Sequence, residues 1–203
     1  MKHRRRFQIV AVSLAVGFAL SGCGTEGGRS SGGSTNKPTQ STQSTESPKG
    51  SGMNMQEAAE RSDGMLDAVL KEIRPEVQWA HGPTTTGSCD VTRRRTVMTI
   101  VSAERRQEFL DQVEKFWRTS DYRIKAKNND EEFPAVYAQT KDGFGISVSV
   151  RGKGQVFFEA DSPCVEESKV ADSTSEPNGP AYEGVYPLPR PNVHSDHWSG
   201  RAS

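Results

Sequence analysis

From Gly24 to Gly52 the chain contains no aliphatic or aromatic residue. Gly, Ser, Thr, Gln, Asn, Pro and a few charges make up the whole stretch. Such a segment cannot bury enough apolar surface to offset its chain entropy, so it should be disordered and should hold no part of a core. This divides the sequence into a short apolar segment before the stretch and everything that can fold after it. As a flexible coil, residues 23–52 would span on the order of 30 Å root-mean-square, the dimension of a tether.

The segment before it starts with a basic run without acid, Met1-Lys-His-Arg-Arg-Arg-Phe7, and continues as apolar or small residues from Ile9 to Leu20. That is the charged region and short apolar region of an export signal, too short for a stable membrane-spanning helix. It ends at Leu20-Ser21-Gly22-Cys23. These four residues resemble the lipobox of bacterial lipoproteins, cut by signal peptidase II. The resemblance implies cleavage before Cys23 and acylation of its thiol, with residues 1–22 removed. Several acyl chains would anchor the chain where a single one would not. The alternative is an ordinary cleaved signal with a chance cysteine. Export by the Sec route is the plain expectation; Arg4-Arg5-Arg6-Phe7 also looks like a partial twin-arginine motif.

Cleavage changes the charge. The full chain has 26 Lys and Arg against 26 Asp and Glu. Loss of Lys2, Arg4, Arg5 and Arg6 leaves 22 basic residues against 26 acidic, a net of −4, and argues against a nucleic-acid partner. Cleavage also sorts the three cysteines. With Cys23 given to lipid, Cys89 and Cys164 are an even pair in an exported chain, which reads as a disulfide; two free thiols are the alternative.

Hydrophobic periodicity then runs from residue 53 to 166. Met55, Ala58, Ala59, Ser62, Met65, Leu66, Val69, Leu70 and Ile73 share one helical face. Asn54 and Glu57 have capping-box spacing, and Pro75 stops the helix. Thr92 to Val101 reads as a strand. Ser102 should cap a second helix over 103–119, with Phe109, Leu110, Val113, Phe116 and Trp117 as its stripe. Strands follow over 122–126, 135–140, 146–150 and 155–160, with Lys141-Asp142-Gly143 as a hairpin turn. The expected fold class is α+β: two helices packed on one face of a mainly antiparallel sheet. The disordered tether would flank it on one side. On the other, a polar tail over 167–203 should be unstructured, with Tyr186-Pro-Leu-Pro-Arg-Pro191 favouring polyproline II.

Candidate chemistry is sparse. Ser88 and His81 could in principle form a nucleophile and base; a solvent-exposed turn histidine is the plainer expectation. His194 and His197 around Asp196 resemble a metal clamp but fall in the expected tail. Asp130-Glu131-Glu132 offers carboxylates without Ca²⁺-loop spacing. The paired glycines at 143 and 145, and at 152 and 154, lack the context of a phosphate loop. Arg93-Arg94-Arg95 would put Arg93 and Arg95 on one strand face and Arg94 on the other. That arrangement could meet an anionic envelope polymer, or simply keep a strand edge soluble. No catalytic residue, metal ligand or cofactor is assigned.

The lipobox, the Ser/Thr/Gly tether and the cysteine-bearing α+β domain together resemble the small surface lipoproteins of high-GC Gram-positive bacteria. The resemblance implies a chain anchored on the outer face of the cell membrane through Cys23, and it carries no activity over. The functional expectation is a non-enzymatic binding or scaffolding protein of the cell envelope, with a polymer or protein partner. A hydrolase whose site is assembled only by folding, and a carrier of a small apolar ligand, are the alternatives.

Overall fold

The computed structural model describes residues 52–180 and 191–200. All of these lie in the second of two units of the chain, Met1–Ser44 and Thr45–Ser203. The expected signal, Cys23, nearly all of the tether and the proline run 181–190 lie outside the described residues.

Helix α1 (Met55–Glu72) opens with the capping box at Asn54: the Asn54 side chain accepts from the Glu57 N–H, and the Glu57 carboxylate accepts from the Asn54 N–H. Seven strands follow: β1 (Trp79–His81), β2 (Thr85–Thr86), β3 (Val91–Val97), β4 (Arg123–Asn128), β5 (Ala135–Gln139), β6 (Gly145–Arg151) and β7 (Gln155–Asp161). Helix α2 (Arg106–Thr119) sits between β3 and β4. The strands form one sheet in the order β1-β3-β7-β6-β5-β4, with β2 also on β3 and every pairing antiparallel. The fold is α+β, with two helices packed on a mainly antiparallel sheet. The chain crosses once, through α2, from β3 to the far edge at β4. From there β4 to β7 return as a meander.

The strand pattern explains which face carries the helices. Val136, Ala138, Ile146, Val148, Val150, Val156, Phe158 and Ala160 are all buried, and alternate with residues directed to the other face. Leu66 and Val69 of α1 and Phe109, Val113 and Trp117 of α2 close over them. Cys89, before β3, is joined by a disulfide to Cys164, after β7, across 75 residues, with their Cα atoms 4.8 Å apart. The bridge ties the ends of two neighbouring strands.

Several expectations need correction. Ser102 does not cap α2 through its side chain. A 3₁₀ turn (Ala103–Arg105) intervenes, and the Ser102 hydroxyl donates to the Gly200 carbonyl. The strand expected to reach Val101 leaves the sheet after Val97. Thr99 instead forms a bridge with Val193, and the Ile100 N–H donates to the Val193 carbonyl at 2.8 Å. On either side of Pro83 the chain supplies β1 and β2, two short strands beyond those expected.

The largest correction concerns the region after residue 166. Residues 167–180 and 191–200 form no regular helix or strand, as the polar, proline-rich composition predicts, but they are packed on the domain. Trp198 is fully buried, edge-on to Phe109 at 5.3 Å, and its indole N–H donates to the Pro75 carbonyl at 2.6 Å. The Asn178 side chain accepts from the Trp79 N–H and donates to Glu76. A lone tryptophan in a polar stretch carries no periodic signal. Its burial depends on a slot between Pro75 and Phe109 that exists only in the folded domain.

Candidate functional site

Two clusters of polar residues distinguish this domain. The first is buried. Arg93 and Arg95, two apart on β3, both point under α1 and are 2% and 1% exposed. Asp63 of α1 lies between them: its Oδ2 is 3.1 Å from Arg93 Nε and its Oδ1 is 2.6 Å from Arg95 Nη2. Asp67, one helical turn on, lies 3.4 Å from Arg95. The Arg95 guanidinium also stacks over Trp79 at 4.7 Å. The strap formed by residues 171–175 closes the cluster. Arg93 donates to the Ala171 carbonyl, Arg95 to the Ser173 hydroxyl, and Ser175 to Asp67. Neither expectation for the arginine run therefore holds for Arg93 and Arg95. They meet neither polymer nor water, because the face they share is the one α1 covers. Arg94 points to the opposite face and pairs with Glu159 at 3.5 Å.

The second cluster lies on the sheet face away from the helices, on the hairpin of β4 and β5. Ile124 packs against the core opposite Ala138, so Arg123 and its partner Gln139 face outward. A register shift between Ile124 and Ala126 then puts Ala126 and Asn128 on this same face, opposite Tyr137 and the buried Ala135. Tyr137 stands among small neighbours, Ala126 on one side and Ser147 on the other, and is 44% exposed. Phe133, in the loop before β5, is equally exposed. A hollow of about 330 Å³ lies at this end, lined by Phe133, Tyr137, Ser149 and Arg151 among others. At the other end of the hairpin a larger hollow, about 520 Å³, is bounded by Arg118, Asp121, Tyr122, Arg123, Gln139 and Lys141. Arg123 donates to the Gln139 side chain at 3.3 Å and makes no ion pair with a carboxylate among the described residues. Lys141 is 3.5 Å from Asp121, both almost fully in water. Burial raises the Tyr122 phenol pKa, partly offset by the charge of Arg61.

The turn that presents Phe133 is built by Asp130 and Asn128. Asp130 Oδ1 accepts from the N–H groups of Glu132 and Phe133, and Asn128 donates to the Phe133 carbonyl at 2.8 Å. The Asp130 carboxylate is thus an internal turn cap.

The remaining sequence candidates do not converge. His81 is half-buried rather than exposed; its Nε2 is 2.9 Å from the Ser175 carbonyl and its ring is edge-on to Trp79. No hydrogen bond joins it to Ser88 among the described residues. His197 does not form a clamp with the exposed His194. Its Nε2 is 2.7 Å from Glu108 Oε1, and Arg105 holds the other oxygen of that carboxylate at 2.7 Å. Burial pushes the Glu108 carboxyl up, but the hydrogen bonds and charges of Arg105 and His197 outweigh it, and the group lies below its ordinary range. Cys23 lies outside the described residues. Tyr137, Phe133 and Arg123 are the residues that sequence reasoning missed. The alternation of residues 135–140 could have put Tyr137 on one face, but not shown which face the helices leave open.

No family model, no curated protein and no solved structure matches this chain.

Proposed function

We propose that this chain is a lipid-anchored protein of the outer face of the cell membrane, acylated at Cys23 after export by the Sec or twin-arginine route. In this reading its α+β domain binds a component of the cell envelope, and membrane attachment is through the acyl chains alone. The observation that carries it is Leu20-Ser21-Gly22-Cys23, placed between a basic-apolar leader and a stretch without apolar residues. The Cys89–Cys164 disulfide supports an oxidising, extracytoplasmic setting. Among the described residues no helix is long and apolar enough to cross a membrane.

Binding is favoured over catalysis by the outward face of the β4–β5 hairpin, where exposed aromatic rings share one surface with Arg123, a cation without a carboxylate partner among the described residues. A hydrolase on the sequence's one candidate pair would need the His81 ring at the Ser88 hydroxyl, and among the described residues His81 is hydrogen-bonded to the Ser175 carbonyl with no bond to Ser88. A carrier of apolar ligand would need space between the layers, where Phe109, Phe158, Trp117 and Trp198 are fully buried.

Metabolic labelling with a fatty acid tests the anchor. The wild-type chain should take up label and partition into the membrane, while Cys23→Ala should remain as unlabelled precursor. Labelling and membrane retention unchanged by Cys23→Ala would refute the reading.

A further inference from the structure

The β4–β5 hairpin presents two kinds of recognition chemistry on one face. Register fixes their order: Arg123 opposite Gln139, then Ala126 opposite Tyr137, then Asn128 opposite Ala135. From Gln139 to Ala135 the track is roughly 14 Å long at the rise of an antiparallel strand. One end is net cationic, with Arg118, Arg123 and Lys141 beside the larger hollow against the single carboxylate of Asp121, which lies 3.5 Å from Lys141. The middle and far end are aromatic, with Tyr137 and Phe133 each 44% exposed. Beyond Phe133 the charge reverses at Asp130-Glu131-Glu132.

We propose that this face binds an acidic oligosaccharide, its charged group held by Arg123 and Lys141 and its neutral sugar rings stacked on Tyr137 and Phe133. The proposal rests on the envelope reading above, which sets the polymers this domain meets. The physical case has three parts. Sugar rings offer apolar C–H faces and a polar rim, which match the exposed aromatic faces of Tyr137 and Phe133 with Ser149 and Arg151 at their border. The small neighbours of Tyr137, Ala126 and Ser147, leave room for a ring to lie against the phenol. The charge gradient then orients the ligand, with its anion at the Arg123 end and a neutral residue beside the acidic turn.

The same features disfavour other occupants. A uniformly anionic polymer laid along the track would meet Asp130, Glu131 and Glu132 at the end where Arg151 is already 3.7 Å from Glu159, and without sugar rings it would leave Tyr137 and Phe133 uncovered. A peptide adding as a strand would use the free edge of β4. That edge carries Arg123, Lys125 and Lys127, charges that discourage strand addition. The side-chain face, not the backbone edge, carries the half-exposed rings of Tyr137 and Phe133 and, among the described residues, an Arg123 without a carboxylate partner.

The test is a titration of the full chain with four probes at equal sugar or phosphate concentration: dextran sparsely substituted with carboxymethyl groups, dextran sparsely substituted with phosphate, unmodified dextran and inorganic polyphosphate. The substituted dextrans should bind at least tenfold more tightly than either unmodified dextran or polyphosphate. Tyr137→Ala and Arg123→Gln should each weaken binding by about tenfold, and Lys115→Gln, which removes a charge from α2 instead, should leave it unchanged. Both hairpin positions are at the surface, so unchanged far-UV circular dichroism and melting would show the variants are folded. Polyphosphate binding as tightly as the substituted dextrans, with no effect of Tyr137→Ala, would reduce the face to a charged patch and overturn the proposal. Failure of both substituted dextrans to bind would overturn it as well. Neither result touches the lipid anchor, which fatty-acid labelling tests separately.

Discussion

Replacing Trp198 with Ala tests whether residues 191–200 are part of the domain. The indole is fully buried, donates to the Pro75 carbonyl at 2.6 Å and lies edge-on to Phe109 at 5.3 Å. Truncating a buried tryptophan in a closed core costs about 3–5 kcal/mol, through lost transfer energy and the cavity left behind. The lost hydrogen bond is included in that figure, but the Pro75 carbonyl could find water if the slot opens. The free energy of docking sets a ceiling. Instead of keeping a cavity, the segment can detach, and the loss then equals the free energy with which residues 191–200 dock. Further anchors would go with it, among them the Ser102 hydroxyl on the Gly200 carbonyl, the Ile100 N–H on the Val193 carbonyl and the His197–Glu108 pair. Trp198→Ala and a chain ending at residue 190 should therefore be destabilised alike, by about 3 kcal/mol or more. For a folded unit of this size that is a fall in Tm of roughly 6–12 °C. Urea unfolding followed by circular dichroism measures it, with the midpoint falling at nearly constant slope. A loss under about 1 kcal/mol for both variants would refute the docked segment, since surface substitutions stay within that range. A large loss for Trp198→Ala with none for the truncation would be equally fatal.

Asp63→Ala should destabilise by about 3–5 kcal/mol in the same assay, because it strands Arg93 and Arg95 below α1 without their shared carboxylate. Replacing Cys89 and Cys164 together with Ser should lower stability by about 4 kcal/mol in the chain-entropy treatment of a 75-residue separation, measured by urea unfolding with and without reductant. Glu108 gives a pH signature. Its folded carboxyl lies below the ordinary value of 4.5, so its contribution is present above that pH and is lost as pH falls through the folded value. Wild type should therefore lose stability relative to Glu108→Gln when melting is followed downward from pH 5, and parallel curves would exclude the contribution.

The elements that repeat were legible in the sequence. Helix α1 kept its capping box and its buried face because both are local: Asn54 and Glu57 are three residues apart, and a helix places every third or fourth side chain together. The alternating strands of the meander followed from period two, and the disulfide from an even cysteine pair in a chain expected to be exported. The candidate site was less legible. Residues 135–140 alternate whichever way the strand is turned, so Tyr137 could not be told from a core residue until the helices took one face.

Residues whose partners are distant were decided by the tertiary structure alone. Arg93-Arg94-Arg95 is a charge run by composition. Two of its three members are buried, because α1 brings Asp63 and Asp67 from about thirty residues away onto the face that β3 turns inward. Trp198 lies in a stretch too polar to form a core of its own, yet it completes the core of the domain, with its indole N–H on a carbonyl 123 residues earlier. Local sequence sets backbone preference and amphipathic period over a few turns. Whether a buried charge finds its counter-charge, or a solitary ring its slot, depends on surfaces that exist only once the sheet and helices have packed.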